Sequence, residues 1–271
     1  MKRKIMNYVA LGVMLLSICV LTFNMVSCGN HKITKEQEVD GSFENISISA
    51  NKEAHISIEP STDGKVKVVA VTHKKVNCDV KIDGTTLVVN IEDTRNWFGR
   101  VFEFHSAKVI VYVPAGAYGN LQIKTTTGDT NVPASFSFES IIIDGTTGNI
   151  TCNASAQNHI DISNTTGDVH INNVTTNSLS VDITTGKIEL TNVITSGKMF
   201  LKATTGNIKF NGCDGAEIYA EATTGSITGT LLSPKIFLTS TTTGKIKVPH
   251  TTTGGVCDLE TTTGKIDISI K

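Results

Sequence analysis

A Thr-Thr-Gly tripeptide that recurs at an almost fixed interval is the feature that most limits how this chain of 271 residues can fold. Successive copies lie 19 or 20 residues apart. The glycines that close the eight copies are Gly128, Gly148, Gly167, Gly186, Gly206, Gly225, Gly244 and Gly264. A fixed period near this length is typical of a solenoid, in which each repeat is one coil that buries its apolar face against its neighbours.

Apolar and polar residues alternate on both sides of each glycine. Ile143 and Ile162 lie five residues before their glycines, and Ile150 and Val169 lie two residues after them. A period of two indicates half-buried β-strands rather than helices, and glycine at the corner between two strands can adopt positive φ at no steric cost. The sequence therefore predicts an all-β fold, a parallel β-solenoid of about eight coils of 19–20 residues. The paired threonines are expected to stack in two ladders along it.

The start of the chain has the features of an export signal. Three basic residues precede an apolar run over residues 8–23, and small residues surround Cys28. This order is typical of a secretory signal peptide, and the cysteine resembles the lipobox of bacterial lipoproteins. We therefore expect residues 1–27 to be a lipoprotein signal peptide and Cys28 to carry the lipid that attaches the protein to a membrane. An uncleaved membrane anchor is the alternative, since the run is nearly long enough to span a bilayer.

The rest of the chain divides into three parts. Residues 28–42 are polar and predict a tether between the membrane and the folded domain. Residues 43–120 contain strand-like runs without the tripeptide, including a hairpin signal at Asp83 and Gly84. This region is expected to form an irregular N-terminal β cap on the first coil, because an open solenoid end exposes core and unpaired backbone. Residues 121–271 carry the repeats.

An aromatic segment interrupts the predicted cap. It contains the one tryptophan of the chain, Trp97, close to Phe98, Phe102 and Phe104. One interpretation is a flap whose rings cover the end of the stack. The other is a loop that binds a partner, because Trp and Arg are enriched at the centres of interfaces. The sequence leaves both interpretations open.

One column of outward-facing residues in the repeats is unusually apolar. Phe200, Tyr219 and Leu238 lie six residues before the glycine in three successive repeats, so on alternating strands they face away from the core. An exposed apolar stripe often marks an interface. These three residues and Trp97 therefore form the expected partner surface, unless loops of the same chain cover the stripe.

The charged residues exclude some partners and leave others open. The chain has a net charge of −1 and no arginine after Arg100, so we expect no nucleic-acid binding. Several lysines fall on the outward side of the strand that follows the glycine and either attract an anionic surface polymer or only keep that face soluble. They are Lys209, Lys245, Lys247 and Lys265.

The repeats show no arrangement typical of catalysis or metal binding. Asp144 and Asp182 fall two coils apart, roughly 10 Å at β-strand spacing, and the acids of their column alternate with neutral or basic residues. His159, His170 and His250 occupy different positions of the repeat, so they form no imidazole ladder. We expect no catalytic residue, no metal site and no cofactor. A polysaccharide lyase or hydrolase of the β-helix kind is the alternative.

The cysteines of the repeats are predicted to be buried free thiols. Cys152 and Cys257 occupy apolar columns, and Cys213 takes a position that is apolar in other coils. Their different coils and different positions in the repeat put them too far apart for disulfides. The sequence does not assign a place or a role to Cys78.

The mature chain resembles the bacterial "putative adhesin" family of β-strand-repeat proteins, a domain of unknown function. The resemblance rests on Gly41–Ile46, on the Lys-Val-Ile-Val-Tyr-Val-Pro run at 108–114, on the aromatic insertion near Trp97 and on the repeats themselves. It implies a right-handed parallel β-solenoid and favours a surface interaction role. No catalytic motif is transferred by it.

The function expected from these features is non-enzymatic. The protein is interpreted as an exported, lipid-anchored solenoid with an adhesion, scaffolding or envelope-interaction role. It is expected in the bacterial cell envelope, as an outer-membrane lipoprotein that faces the periplasm or the cell surface, with an envelope protein or glycan as its partner. A polysaccharide-acting enzyme and an envelope signalling accessory are the alternatives. The oligomeric state is left open.

Overall fold

The computed structural model describes residues 24–27, 33–72, 76–93 and 107–271, and the regular elements in these ranges are β-strands. The strands before the first Thr-Thr-Gly coil are β1 (Asn24–Ser27), β2 (Ile33–Val39), β3 (Asn45–Pro60), β4 (Val66–Thr72), β5 (Val76–Asp83), β6 (Thr86–Asp93) and β7 (Ala107–Val113). The predicted apolar run 8–23, Cys28 and Trp97 lie outside the described residues.

The strands of the repeats follow one another in short succession. They are β8 (Gly116–Thr127), β9 (Thr130–Val132), β10 (Phe136–Thr147), β11 (Ile150–Cys152), β12 (Ser155–Thr166), β13 (Val169–Asn172), β14 (Thr175–Thr176), β15 (Ser178–Thr185), β16 (Ile188–Thr191), β17 (Ile194–Thr205), β18 (Ile208–Thr224), β19 (Ile227–Leu231), β20 (Ile236–Thr243), β21 (Ile246–Lys247), β22 (Val256–Thr263) and β23 (Ile266–Ile270). In each coil the strand that ends at the two threonines belongs to the first sheet, and the strand after the glycine belongs to the second sheet. The long β18 takes part in both.

Neighbouring coils pair in parallel, with equivalent positions of the repeat opposite one another. In the first sheet Ile141 lies opposite Ile160, and in the second sheet Ile150 lies opposite Val169. All four side chains are buried, and the inward residues of both sheets join one continuous hydrophobic core. Equivalent threonines, such as Thr147, also lie opposite one another along the first sheet. The predicted parallel β-solenoid is confirmed.

The order of the coils in space departs from their order in the sequence at the far end of the stack. The coil of β22 and β23 follows the coil of β20 and β21 in sequence. In space, however, β22 lies between β18 and β20, and β23 lies between β19 and β21. The later coil is therefore an inner layer, and β20 and β21 form the outermost layer of the described residues. The sequential stacking that the predicted column of Phe200, Tyr219 and Leu238 requires is therefore wrong at this end.

Two glycines let the chain cross over to make this insertion. A Cβ atom on Gly255 would lie 1.7 Å from the carbonyl oxygen of Ala216, and one on Gly254 would lie 1.9 Å from the carbonyl oxygen of Pro234. Gly254 also has φ of +98°, which side-chain-bearing residues rarely adopt. Only glycine fits both positions, because the connecting segment packs directly against the backbone of two earlier coils.

The near end of the stack also contains an inserted coil. The long strand β3 bends through both sheets, with β6 and β7 on one side of it and β8 and β9 on the other. The region 43–120, predicted as an irregular cap, therefore includes a complete parallel coil, and β8 starts the repeats at Gly116. The predicted hairpin is present: Asp83 pairs with Thr86, and Gly84 has φ of +60°.

Antiparallel strands cover this near end. In the first sheet β5 pairs with β6, while in the second sheet β4 pairs with β7, β2 with β4 and β1 with β2. Residues 33–39 of the predicted tether thus form a strand. The polar composition of residues 28–42 did not indicate this strand. The strand forms because β2 pairs along the whole length of β4, and this pairing buries Ile33 and Val39.

Candidate functional site

The glycine column is the tightest point of contact between coils. A Cβ atom on Gly206 would lie 1.5 Å from the carbonyl oxygen of Gly186, and one on Gly264 would lie 2.0 Å from that of Gly225. Gly206 has φ of +151°. The positive φ was predicted, whereas the absence of space for any side chain follows from the stacking itself. The glycines are structural and contribute no chemical group to a binding site.

A ladder of side-chain hydrogen bonds runs beside the glycines. The carboxylate of Asp129 accepts the backbone N–H of Asn149 at 2.8 Å, the side-chain oxygen of Asn149 accepts that of Asp168 at 2.9 Å, and Asp168 accepts that of Lys187 at 2.8 Å. Each side chain therefore joins its coil to the next, as Asp and Asn commonly do with nearby backbone groups. This role was not predicted from the sequence, although Asp or Asn recurs directly after the glycine in several repeats.

The predicted apolar surface is present in part. Phe200 and Tyr219 lie opposite one another on β17 and β18, and Phe200 is 42 % exposed, so no described loop covers it. Leu238 does not continue the stripe, because the inserted coil places Asp258 between it and Tyr219. Leu238, 51 % exposed, belongs instead to the outermost layer. The fourth predicted residue, Trp97, is outside the described residues.

Charged pairs flank the two rings on both sides. Lys198 and Glu217 approach to 3.3 Å, and Lys202 and Glu221 approach to 3.2 Å. The hydroxyl of Tyr219 donates to Glu217 at 3.0 Å, and the Lys198 ammonium lies 5.9 Å from the centre of the Tyr219 ring. The hydrogen bond to this carboxylate raises the pKa of the Tyr219 hydroxyl. An apolar centre with a polar rim is the usual anatomy of an interface.

The carboxylates of the first sheet are arranged differently from the prediction. Ser163 separates Asp144 from Asp182, as expected, and donates to Asp144 at 3.0 Å. At the far end, however, the inserted coil brings Glu221 directly opposite Glu260, so the acids do not alternate there. Both glutamates lie on the outward side of an open sheet, and Lys202 is already paired with Glu221. The structure therefore does not bring the predicted candidates Asp144 and Asp182 together.

The cysteines of the repeats are free and buried, as predicted. Burial raises the pKa of the Cys152 and Cys257 thiols to about 12 and also raises that of Cys213. Cys78 is partly exposed on β5, yet burial still raises the pKa of its thiol to about 11. A thiol is nucleophilic only as the thiolate, so these four cysteines are poorly suited to catalysis.

A partly buried ion pair holds the connection from β19 to β20 in place, and it was not predicted from the sequence. Lys235, 5 % exposed, lies 2.6 Å from the carboxylate of Asp214. Ser233 and the backbone N–H of Gly215 also donate to this carboxylate at 2.9 and 2.8 Å. Burial by itself raises the pKa of Asp214, but the bonds from Lys235, Ser233 and Gly215 outweigh it and leave the pKa lowered. The hydroxyl of Thr251 donates to the Lys235 carbonyl oxygen, which joins the connecting segment to the same cluster.

Four aromatic side chains form a cluster near the starts of β8 and β10. Tyr118 stacks on Phe43 with ring centres 5.7 Å apart, and it lies 6.2 and 6.1 Å from Phe136 and Phe138. An aromatic cover was predicted near Trp97 instead, because the residues of this cluster are scattered over nearly 100 positions of the chain.

Neither a metal-binding cluster nor a membrane-spanning helix is found in the described ranges. No group of histidine, cysteine and carboxylate side chains within them is close enough to hold a metal ion. Among the same residues no helix has the length and apolarity that a membrane crossing requires.

Comparison with known proteins places the chain in a family. Residues 43–271, from the start of β3 to the end of the repeats, match the family described as Toastrack DUF4097. The chain belongs to the Toastrack DUF4097 family. The matched region includes β3 and the covering strands β4 and β5 as well as the repeats, whereas β1 and β2 precede it.

Several solved structures are similar to this Toastrack chain. A "putative adhesin" from Bacteroides fragilis is 14 % identical, with 89 % of this chain and 98 % of that chain covered and a TM-score of 0.43. A "putative adhesin" from Parabacteroides distasonis is 11 % identical, with 88 % and 97 % covered and a TM-score of 0.45. A "putative lipid binding protein" from the same species is 12 % identical, with 87 % and 96 % covered and a TM-score of 0.38. A search of curated proteins gives no significant match.

Proposed function

We propose that this Toastrack protein is an exported, lipid-anchored and non-enzymatic solenoid that binds another component of the bacterial cell envelope. Phe200 and Tyr219 form the centre of its partner surface. The observation that carries the proposal is the exposed Phe200 ring on a rigid strand, directly opposite Tyr219 and flanked by ion pairs. A large exposed ring costs solubility, and aromatic residues held on rigid elements bind partners with little loss of side-chain entropy.

The anchoring part of the proposal rests on the sequence of the first 28 residues. Lipid on Cys28 would hold the rod at a membrane surface, in the outer membrane by our interpretation, and an adhesion or scaffolding role requires such a fixed position. Cys28→Ser is expected to move the protein from the membrane fraction to the soluble fraction. A protein that stays in the membrane fraction would instead support the uncleaved anchor.

The partner surface is tested by crosslinking in intact cells, followed by purification of the tethered protein. Phe200→Asp combined with Tyr219→Asp is expected to abolish the crosslinks made by the unaltered protein. Ile142→Asp is the matched control, because Ile142 occupies the same outward column three coils away and is also apolar. Equal loss of crosslinks in both variants, or loss in neither, would contradict the proposed surface.

A further inference from the structure

A groove of about 400 Å³ crosses the outward face of the second sheet. Its floor is formed by small polar residues, Asn207, Ser226 and Thr228, and lysines stand on both sides. The lysines that line it are Lys187, Lys209 and Lys265. The groove exists because the short side chains of two neighbouring coils lie between the long side chains of the coils on either side. Phe200 and Tyr219 lie on the other sheet.

One of these lysines, Lys187, interrupts the hydrogen-bond ladder beside the glycines. Where Asp129, Asn149 and Asp168 accept the backbone N–H of the next coil, Lys187 has no acceptor to offer to the following coil. The ladder resumes with Asn207, which accepts the N–H of Ser226 at 2.7 Å. A residue that breaks a local structural rule without structural compensation is commonly found at a functional site.

The face carries an excess of positive charge. Lys209 pairs with Glu189 at 2.9 Å and Lys265 with Asp267 at 3.4 Å. Lys187 makes no ion pair with any residue that the structure describes. Lys245 and Lys247, in the next layer beyond Lys265, are likewise without an ion pair in the described part of the chain. From the coil of Asp168 to the outermost layer, five ammonium groups thus share this face with the three carboxylates of Asp168, Glu189 and Asp267, although the whole chain has a net charge of −1.

The floor of the groove has unused hydrogen-bonding capacity. The side-chain oxygen of Asn207 and the hydroxyl oxygen of Ser226 accept backbone N–H groups. Among the described residues, the amide N–H groups of Asn207 and the hydroxyl hydrogens of Ser226 and Thr228 have no acceptor. These groups can bind the hydroxyl and ring oxygens of a sugar, which both accept and donate hydrogen bonds.

We propose that this groove binds an acidic polysaccharide, with carboxylates of the polymer at the lysines and its hydroxyl groups on the floor. Lys187 and Lys265 are separated by three strand spacings, about 14 Å. An extended chain with repeated charges can meet the ammonium groups along the whole of this span, whereas a single small anion can do so only if the two lysine side chains bend toward each other. The inference goes beyond the partner surface at Phe200, because the two sites lie on different sheets and each can fail alone.

The test measures the affinity of the full chain for polygalacturonate by isothermal titration calorimetry. Methyl-esterified polygalacturonate, which has the same backbone without the charge, is the control ligand. The test variant is Lys187→Gln with Lys209→Gln and Lys265→Gln. The control variant, with the same change in net charge, is Lys65→Gln with Lys81→Gln and Lys108→Gln, at exposed positions on the strands or turns near the other end of the stack.

We expect polygalacturonate to bind, the esterified polymer to bind at least about tenfold more weakly, and the test variant to lose affinity by about tenfold while the control variant does not. Added salt should weaken binding, since screened charges contribute to it. Equal affinity of the test and control variants, no binding of polygalacturonate, or a preference for vesicles with anionic headgroups would each overturn the proposal. Phe200→Asp should leave polygalacturonate binding unchanged, which separates this result from the test of the partner surface.

Discussion

At the residue scale, the corner of each coil depends on the second hydrogen atom of a glycine Cα. The carbonyl oxygen of the neighbouring glycine occupies the place where a Cβ atom would be, as at Gly206 and Gly264. At these corners glycine is required both because φ is positive and because no space is left for a side chain. Gly84 separates the two requirements, since it has positive φ but open space around it.

Gly206→Ala is expected to destabilise the protein by about 3 kcal/mol or more, because the methyl group forces two coils apart in addition to the strained φ. Gly84→Ala, which meets only the conformational penalty, should cost about 1 kcal/mol. Urea unfolding followed by circular dichroism gives both values from the shift of the midpoint. Similar costs at the two positions would show that the contact between glycines is unimportant.

At the scale of elements, the connection from β19 to β20 is held by the ion pair between the buried Lys235 and the partly buried Asp214. Breaking a buried pair leaves an uncompensated charge, whereas replacing both partners with apolar residues is often neutral. The lowered pKa of Asp214 in the folded state means that its ionised form stabilises the fold. This contribution is complete above the unfolded pKa, near the ordinary value of 3.8, and is lost as the pH falls through the folded value.

Asp214→Asn is accordingly expected to cost about 3 kcal/mol at neutral pH. The difference between the variant and the unaltered protein should shrink as the pH falls below 3.8 and should vanish below the folded pKa, where the carboxylate is protonated in both states of the unaltered protein. Urea unfolding at several pH values measures the effect, and modification of the Cys257 thiol reports whether the inserted coil has opened. The double variant Asp214→Leu with Lys235→Met should recover most of the lost stability, and a constant difference across the pH range would contradict this account.

At the scale of the whole molecule, the stack is continuous although the chain does not visit its layers in order. Late residues enter between earlier ones at the far end, and β3 lies between later coils at the near end. The arrangement decides which side chains are neighbours on the surface. Tyr219 is next to Asp258 rather than Leu238, and Glu221 is next to Glu260.

The order of the layers can be tested with pairs of introduced cysteines. Tyr219→Cys with Asp258→Cys places two outward positions on neighbouring strands, within reach of a disulfide, and mild oxidation should join them. Tyr219→Cys with Leu238→Cys places them two strand spacings apart, about 10 Å, and should give no crosslink. Peptide mass spectrometry identifies the bond, and the reverse result would establish sequential stacking. The native thiols in the repeats are buried and should not compete.

The parallel β-solenoid could be predicted mainly from the Thr-Thr-Gly repeat and its period of 19–20 residues. Alternation around Gly148 or Gly167 specifies strands, faces and core positions, because it repeats in every coil. The insertion of β22 between β18 and β20 could not be predicted from the repeat. All coils have nearly the same pattern, so the pattern does not specify which coil stacks on which. The decisive contacts involve Gly254, Gly255 and the Asp214–Lys235 pair, which occur once. The column predicted from the sequence therefore continues from Phe200 to Tyr219, in consecutive regular coils, and does not continue to Leu238.

The inserted coil also has a consequence for the time at which the protein becomes complete during its synthesis. Residues 256–270 leave the ribosome after residues 236–247, yet they must occupy the layer beneath them. The earlier coils can stack in turn as they emerge, but β20 and β21 have no native strand partner until β22 and β23 arrive. A chain that ends before residue 256 therefore leaves β20 and β21 without strand partners, and a protease should cleave them there more readily than in the full chain.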